Sequence, residues 1–174
     1  MIKVHGNIYV GDQLDYKKEM IGEWAFVHAC KDPFHKKLVG YNGNLDPSHV
    51  DFPFKEVKNR LALNLVDANW PYNPKYYEHY KKMFEYMIEF INKKLLEDKK
   101  ILIHCNQGES RGPSMAMLYL ASEGVFGYKD FWDTIIEFKK MYPRYNPKIG
   151  IKENVQAFWE ELVTLQNSWF PIDS

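Results

Sequence analysis

The chain has 174 residues, with Lys+Arg and Asp+Glu both at 23, so its formal net charge is zero. That length suits one domain, 1–174, with a core of its own. Neutral charge speaks against nucleic acid or an anionic membrane as the main partner.

An aromatic content of 16% predicts a core rich in Tyr and Phe. The sequence carries no 18-residue apolar run and no basic segment followed by one, so neither a membrane span nor a signal peptide is expected. The two cysteines, Cys30 and Cys105, make no disulfide framework, which suits a reducing cytoplasm.

Ile8-Tyr9-Val10 before Gly11-Asp12 reads as a strand and turn, and 15–20 as a short helix. Trp24 to Cys30 reads as a second, buried strand. From Lys31 to Lys55 the chain is polar, with Gly and Pro and no clear period. Such long connections often carry function, so Lys31 and His35 are expected to contact a ligand. A solvated surface loop is the plainer reading of the same residues.

Leu61 to Val66 is a third strand, with Asp67 following it. Asn73-Pro74 predicts a helix start, an N-cap before proline at N1. The helix has an apolar stripe of Tyr77, Tyr80, Phe84, Met87, Ile88, Ile91 and Leu95. Ile101-Leu102-Ile103 is a buried strand, followed by a polar loop containing Gly108 and a helix whose first turn holds Pro113. Strands alternating with helices predict an α/β fold: a mostly parallel central sheet of about five strands, covered by helices on both sides. Ligands of such sheets lie beyond the carboxyl ends of the strands. Cys30 and Cys105 are expected at that same end.

The loop from His104 to Arg111 carries the chemistry. A strand–loop–helix turn directs backbone N–H groups and the positive end of the helix dipole at an anion. A thiol placed there, beside an arginine, ionises more readily than a free one and becomes a nucleophile. Arg111 can hold two phosphate oxygens with its planar fork.

His104-Cys105, five residues, then Arg111 resembles the signature loop of the cysteine-based protein tyrosine phosphatases. Gly108 and Ser110-Arg111 resemble the dual-specificity branch in particular. The resemblance extends over nearly the whole chain and is strongest from Leu61 to Leu162. It implies that Cys105 is the nucleophile, Arg111 the phosphate holder and Asp67 the general acid. It implies that His104 orients the loop, and that Asn106, Gln107, Gly108, Glu109 and Ser110 line the bound phosphate. Asp67 precedes Cys105 by 38 residues, a spacing that a longer intervening helix accounts for. Trp70 is expected to anchor the acid's loop in the core. Glu109 stands where phosphoinositide-directed relatives often carry lysine, which disfavours a highly phosphorylated inositol.

One departure is Gly112, where the family usually has Ser or Thr. That hydroxyl helps the thiolate leave the phospho-enzyme, so its absence implies slower breakdown of the intermediate. Ser114 is either a substitute for it or a simple helix cap. Helices are expected over 128–141 and 151–165, separated by the Pro-bearing stretch from Tyr142 to Pro147.

The resulting expectation is a phosphomonoester hydrolase working through phosphocysteine, with no metal or cofactor. Its first substrate is phosphotyrosine protein, with phosphoserine or phosphothreonine after it. Alternatives are a phosphatase of a small phosphorylated metabolite or nucleotide, and a phosphate-binding module of low turnover. Cys30 reads either as an ordinary core cysteine or as a redox partner of Cys105.

Overall fold

The computed structural model describes residues 1–17, 20, 22–127 and 129–164. At its centre four strands run parallel, in the spatial order β2 (Ile8–Gly11), β6 (Lys100–His104), β3 (Trp24–His28) and β5 (Arg60–Leu63). An antiparallel strand closes each edge: β1 (Ile2–His5) beside β2, and β4 (Phe54–Val57) beside β5. The sheet therefore has six strands where about five were expected. Only Val4 is buried along β1, and β4 is half-buried throughout, so neither edge strand shows the apolar run that marks the others.

The pleat gives β3 and β6 two different faces. Ala25, Val27, Ile101 and Ile103 join the main core. Above them pack α2 (Tyr77–Leu96), on β5 and β6, and α3 (Arg111–Ser122), on β2 and β6. α4 (Phe131–Met141) and α5 (Ile149–Ala157) lie against α3. Every residue of α3 is buried, because it is enclosed by sheet and helices together. On the opposite face Phe26, His28 and His104 meet the rings of Tyr16 and Phe34.

Several boundaries differ from the sequence expectation. β3 stops at His28 and β5 at Leu63, because Cys30 N–H turns back to the His28 carbonyl and Leu65 N–H to that of Leu63 (both 2.8 Å). These three-residue turns end the ladders early, so Cys30 and Asp67 sit on connections. The segment from Lys31 to Lys55 is not one structureless loop. It holds a helical turn (Lys31–His35), the short α1 (Lys36–Val39) and the start of β4.

Asn73 caps as expected, its Oδ1 accepting from Lys75 N–H, and Pro74 opens a 3₁₀ turn ahead of α2. The last predicted helix is α5 plus a separate turn, Glu160–Thr164. Residues 18, 19, 128 and 165 of the predicted helices lie outside the described residues. Among the described residues no helix is long and apolar enough to cross a membrane.

Candidate active site

Register puts His28 beside His104, so the connections leaving β3 and β6 emerge together at one end of the sheet. Between Cys105 and α3 the chain makes a tight loop whose carbonyls are all engaged by its surroundings. Asn106 O accepts from Gln13 N–H, and Gln107 O from the Arg144 guanidinium. Gly108 O accepts from the Tyr142 hydroxyl, Glu109 O from Asn146 N–H, and Ser110 O from Ser114 N–H and Oγ. A planar trans peptide holds C=O and N–H in opposite directions. Five carbonyls tied to the scaffold therefore turn the N–H groups of residues 107–111 the other way, into a common cradle for an anion. Gly108 makes this turn possible. Its φ is +70°, and a Cβ there would come within 2.8 Å of the Gly11 carbonyl oxygen.

Three of the loop's supports, Tyr142, Arg144 and Asn146, come from a stretch that reads in sequence as a helix break. Nothing in their spacing marks them. Only the fold returns 142–146 to the back of a loop more than thirty residues earlier.

Arg111 begins α3 and is buried. Its Nη1 donates to the Leu65 carbonyl (3.2 Å) and its Nη2 to Asn106 Oδ1 (2.8 Å). Those bonds fix the plane of the guanidinium. Two of its five N–H donors are thereby used, leaving others for phosphate oxygens. Asn106 is a positioning residue, since its own Nδ2 is held by the Asp32 carbonyl and by Gln13 Oε1.

Asp67 lies against this arginine, Oδ1 at 3.9 Å from Arg111 Nε, with Oδ2 at 3.6 Å from Lys148 Nζ. Ser110 Oγ donates to Asp67 Oδ1 (2.7 Å) while accepting from Lys148 N–H (3.1 Å). Ser110, expected to line the bound phosphate, thus uses its hydroxyl to orient the carboxylate. Lys148 joins the site unforeseen. Gly150, in the first turn of α5, approaches the same loop. Its N–H bonds the Ala68 carbonyl, and a Cβ there would meet the Trp70 carbonyl oxygen at 2.9 Å. Backbone contact with α5 therefore supports this loop. Trp70, 63% exposed, does not anchor it in the core.

His104 is fully buried and its neutral state is the favoured one, burial holding its pKa down at about 4. Its Nε2 lies 2.6 Å from His28 Nδ1, and its Nδ1 lies 3.4 Å from the Cys105 carbonyl. Donation from His104 Nδ1 to that carbonyl assigns the bridging proton to His28 Nδ1. Burial, with His104 alongside, also lowers the His28 pKa. The unfolded chain takes up these protons near pH 6.5, whereas folded His104 resists its proton down to about 4 and folded His28 also resists at pH 6.5. The pair's contribution to stability is thus present above pH 6.5 and lost as pH falls through this window. Thermal melting against pH is expected to show that fall, and His28→Phe to make it shallower.

Cys30 and Cys105 are both free and buried. Burial pushes the Cys30 thiol up to about 12 despite the nearby Arg111 charge, so at neutral pH it is a protonated core group.

Gly112 has a steric reason. A Cβ at this position would lie 2.9 Å from Cys105 N and from His104 C. α3 has moved onto the strand end, and no side chain fits between. Gly112→Ser, the family's usual residue, is expected to cost about 1–3 kcal/mol of stability, measurable by denaturant unfolding. The Ser114 hydroxyl is buried between the Ser110 carbonyl (2.8 Å) and Tyr145 Oη (3.1 Å), so it braces the loop from behind.

The structure brings Cys105, Arg111, Asp67 and the loop residues together, with Gln107 and Glu109 exposed at the rim. It does not bring His35 there. His35 is fully buried, with its ring nitrogens on Tyr41 Oη and the Asp51 carbonyl, and it braces its own segment. Lys31 is tied by Nζ to Asn44 Oδ1 and lines a neighbouring cavity.

A mostly parallel sheet whose anion cradle opens with a cysteine and closes with an arginine at the first position of a helix defines a cysteine-based phosphatase. The family model "Dual specificity phosphatase, catalytic domain" matches residues 28–167, and the chain belongs to that family. It is 27% identical over 86 residues to dual specificity protein phosphatase 22 of Mus musculus and of Homo sapiens. Each match spans 49% of this chain and 45% of the relative.

Among solved structures, DUSP15 superposes with a TM-score of 0.61 at 20% identity, over 97% of this chain and 93% of that one. Human tyrosine phosphatase-like serine/threonine/tyrosine-interacting protein gives 0.59 at 16%, over 90% and 93%. Human DUSP28 gives 0.58 at 13%, over 92% and 93%. At these identities the likeness is one of fold.

Proposed function

We propose that this chain hydrolyses phosphate monoesters in two steps through phosphocysteine, with phosphotyrosine protein as its first substrate and phosphoserine or phosphothreonine protein as its second. The observation that carries the reading is the cradle, whose carbonyls at 106–110 are all tied outward. The Cys105 thiolate attacks phosphorus while the bond to the ester oxygen breaks, and Asp67 gives that oxygen its proton. Water then attacks the phosphocysteine, passing a proton to Asp67. The P–S bond breaks and inorganic phosphate leaves. Arg111 and the inward N–H groups stabilise the equatorial oxygens in both steps, where negative charge gathers. Two free buried cysteines suit a reducing cytoplasm as its location.

The test measures phosphate release from an aryl phosphate, a phosphopeptide panel and small phosphorylated metabolites. Asp67→Asn is expected to lower kcat by about 10²-fold or more on phosphotyrosine peptide. On an aryl ester with an acidic leaving group the loss should be much smaller, because that group departs unprotonated. Equal losses on both would remove Asp67 from the acid's role. Faster turnover of a metabolite than of any phosphopeptide would replace protein as the substrate.

A further inference from the structure

Two buried histidines, His28 and His104, meet through their ring nitrogens, and the proposed phosphatase steps move no proton through either. They face each other because β3 and β6 run parallel in a register that pairs His28 with His104. The pleat turns both away from the main core, into a box of aromatic rings. Phe34 stacks on His28 at a centroid distance of 4.4 Å. Tyr16 meets His28 edge-on at 4.9 Å and lies parallel to His104 at 5.9 Å. His28 is 1% exposed and His104 0%, so neither ring is open to solvent.

Burial keeps both rings neutral, so one proton serves the 2.6 Å contact between His28 Nδ1 and His104 Nε2. Two arrangements satisfy this count. With the proton on His104 Nε2, His104 Nδ1 is a bare lone pair 3.4 Å from the Cys105 carbonyl oxygen, and the two lone pairs repel. With the proton on His28 Nδ1, His104 carries its own on Nδ1 and donates it to that carbonyl. The Cys105 carbonyl is then tied back to the strand end, and the planar peptide turns the Asn106 N–H the opposite way. That adds a sixth donor to the N–H groups of residues 107–111.

We propose that His28 is a positioning residue of the phosphate cradle: its Nδ1–H fixes the His104 tautomer that ties back the Cys105 carbonyl and aims the Asn106 N–H at the bound phosphate. His28 acts through His104 and not on the substrate, and its role rests on the phosphatase function proposed above. An asparagine at this position keeps the bond, since its Nδ2 stands where His28 Nδ1 does. A leucine, branched at the same carbon, has no donor to offer.

The experiment labels the full chain with isotopic histidine and reads the protonation of the ring nitrogens by NMR at neutral pH. His104 is expected to be protonated at Nδ1 and bare at Nε2, with His28 protonated at Nδ1. In His28→Leu, inorganic phosphate is expected to bind about threefold or more weakly by calorimetry. There kcat/KM on an aryl phosphate should fall by about tenfold, most of it in kcat. His28→Asn is expected to restore both to within about threefold of wild type. A packing role alone makes Asn, a polar group in an aromatic box, the worse substitute of the two. Wild-type His104 protonated at Nε2 overturns the proposal, and that reading needs no variant to fold. A folded His28→Leu with unchanged phosphate binding and turnover also overturns it, as does a folded His28→Asn as impaired as His28→Leu. The tautomer and phosphate binding are read without turnover. A chain that shows the expected tautomer and binds phosphate but hydrolyses no ester therefore refutes the phosphatase function and not the role of His28 in the cradle.

Discussion

Cys105→Ser is expected to abolish turnover, with kcat on an aryl phosphate reduced by about 10³-fold or more. A serine hydroxyl at this position needs a base to become a nucleophile. The only histidine adjoining it in sequence cannot serve, because the pleat turns His104 to the opposite face of the sheet. There its ring nitrogens meet His28 and the Cys105 carbonyl, and burial keeps it neutral. The cradle's N–H groups and Arg111 are untouched by the change. Phosphopeptide binding to Cys105→Ser, measured by calorimetry, should therefore stay within about threefold of wild type. Residual kcat within tenfold of wild type would eliminate the phosphocysteine route.

Arg111→Lys is expected to lower kcat/KM by about 10²–10³-fold although charge is conserved. The guanidinium holds the Leu65 carbonyl and Asn106 Oδ1 with two nitrogens and still keeps donors for phosphate. An ammonium ion has one nitrogen and no plane, so it cannot satisfy both anchors and present a fork to two oxygens. The change also removes one of two donors to the Leu65 carbonyl, which keeps the Lys31 N–H (2.8 Å), so the expected loss in stability is small, about 0.5–1.5 kcal/mol. Steady-state kinetics and denaturant unfolding on the same variant separate these effects. A loss below tenfold in kcat/KM would assign phosphate holding to the loop N–H groups alone.

The parallel core of the sheet was legible because buried parallel strands are apolar on both faces. Trp24–His28 and Lys100–His104 announce themselves as runs. The edge strands were not, because a strand with one wet side and one neighbour leaves only a weak alternation. His35 shows a second limit. A histidine in a polar segment reads as available, yet Tyr41 and the Asp51 carbonyl absorb both its ring nitrogens. Ser110 reads as a residue lining the bound phosphate, and the fold turns its hydroxyl to Asp67. In each case a local pattern specified the residue's chemistry, and a contact distant in sequence specified its partner.

From sequence alone the proposed nucleophile, the arginine and the glycine of the cradle could be named, since one short loop must hold all three and its spacing is set by local backbone geometry. The family followed from that loop, and the strand–helix order around it followed from hydrophobic periodicity. The tertiary structure decided what keeps the cradle open and what holds Asp67, the proposed acid. Tyr142, Arg144 and Asn146 draw the loop carbonyls outward, and Ser110, Lys148 and Gly150 fix the segment carrying Asp67. It also gave Gly112 its meaning, since the close approach of α3 to the end of β6 is a distance between backbones. These are long-range contacts, made by closing the chain over many residues, and no local pattern encodes which partners meet.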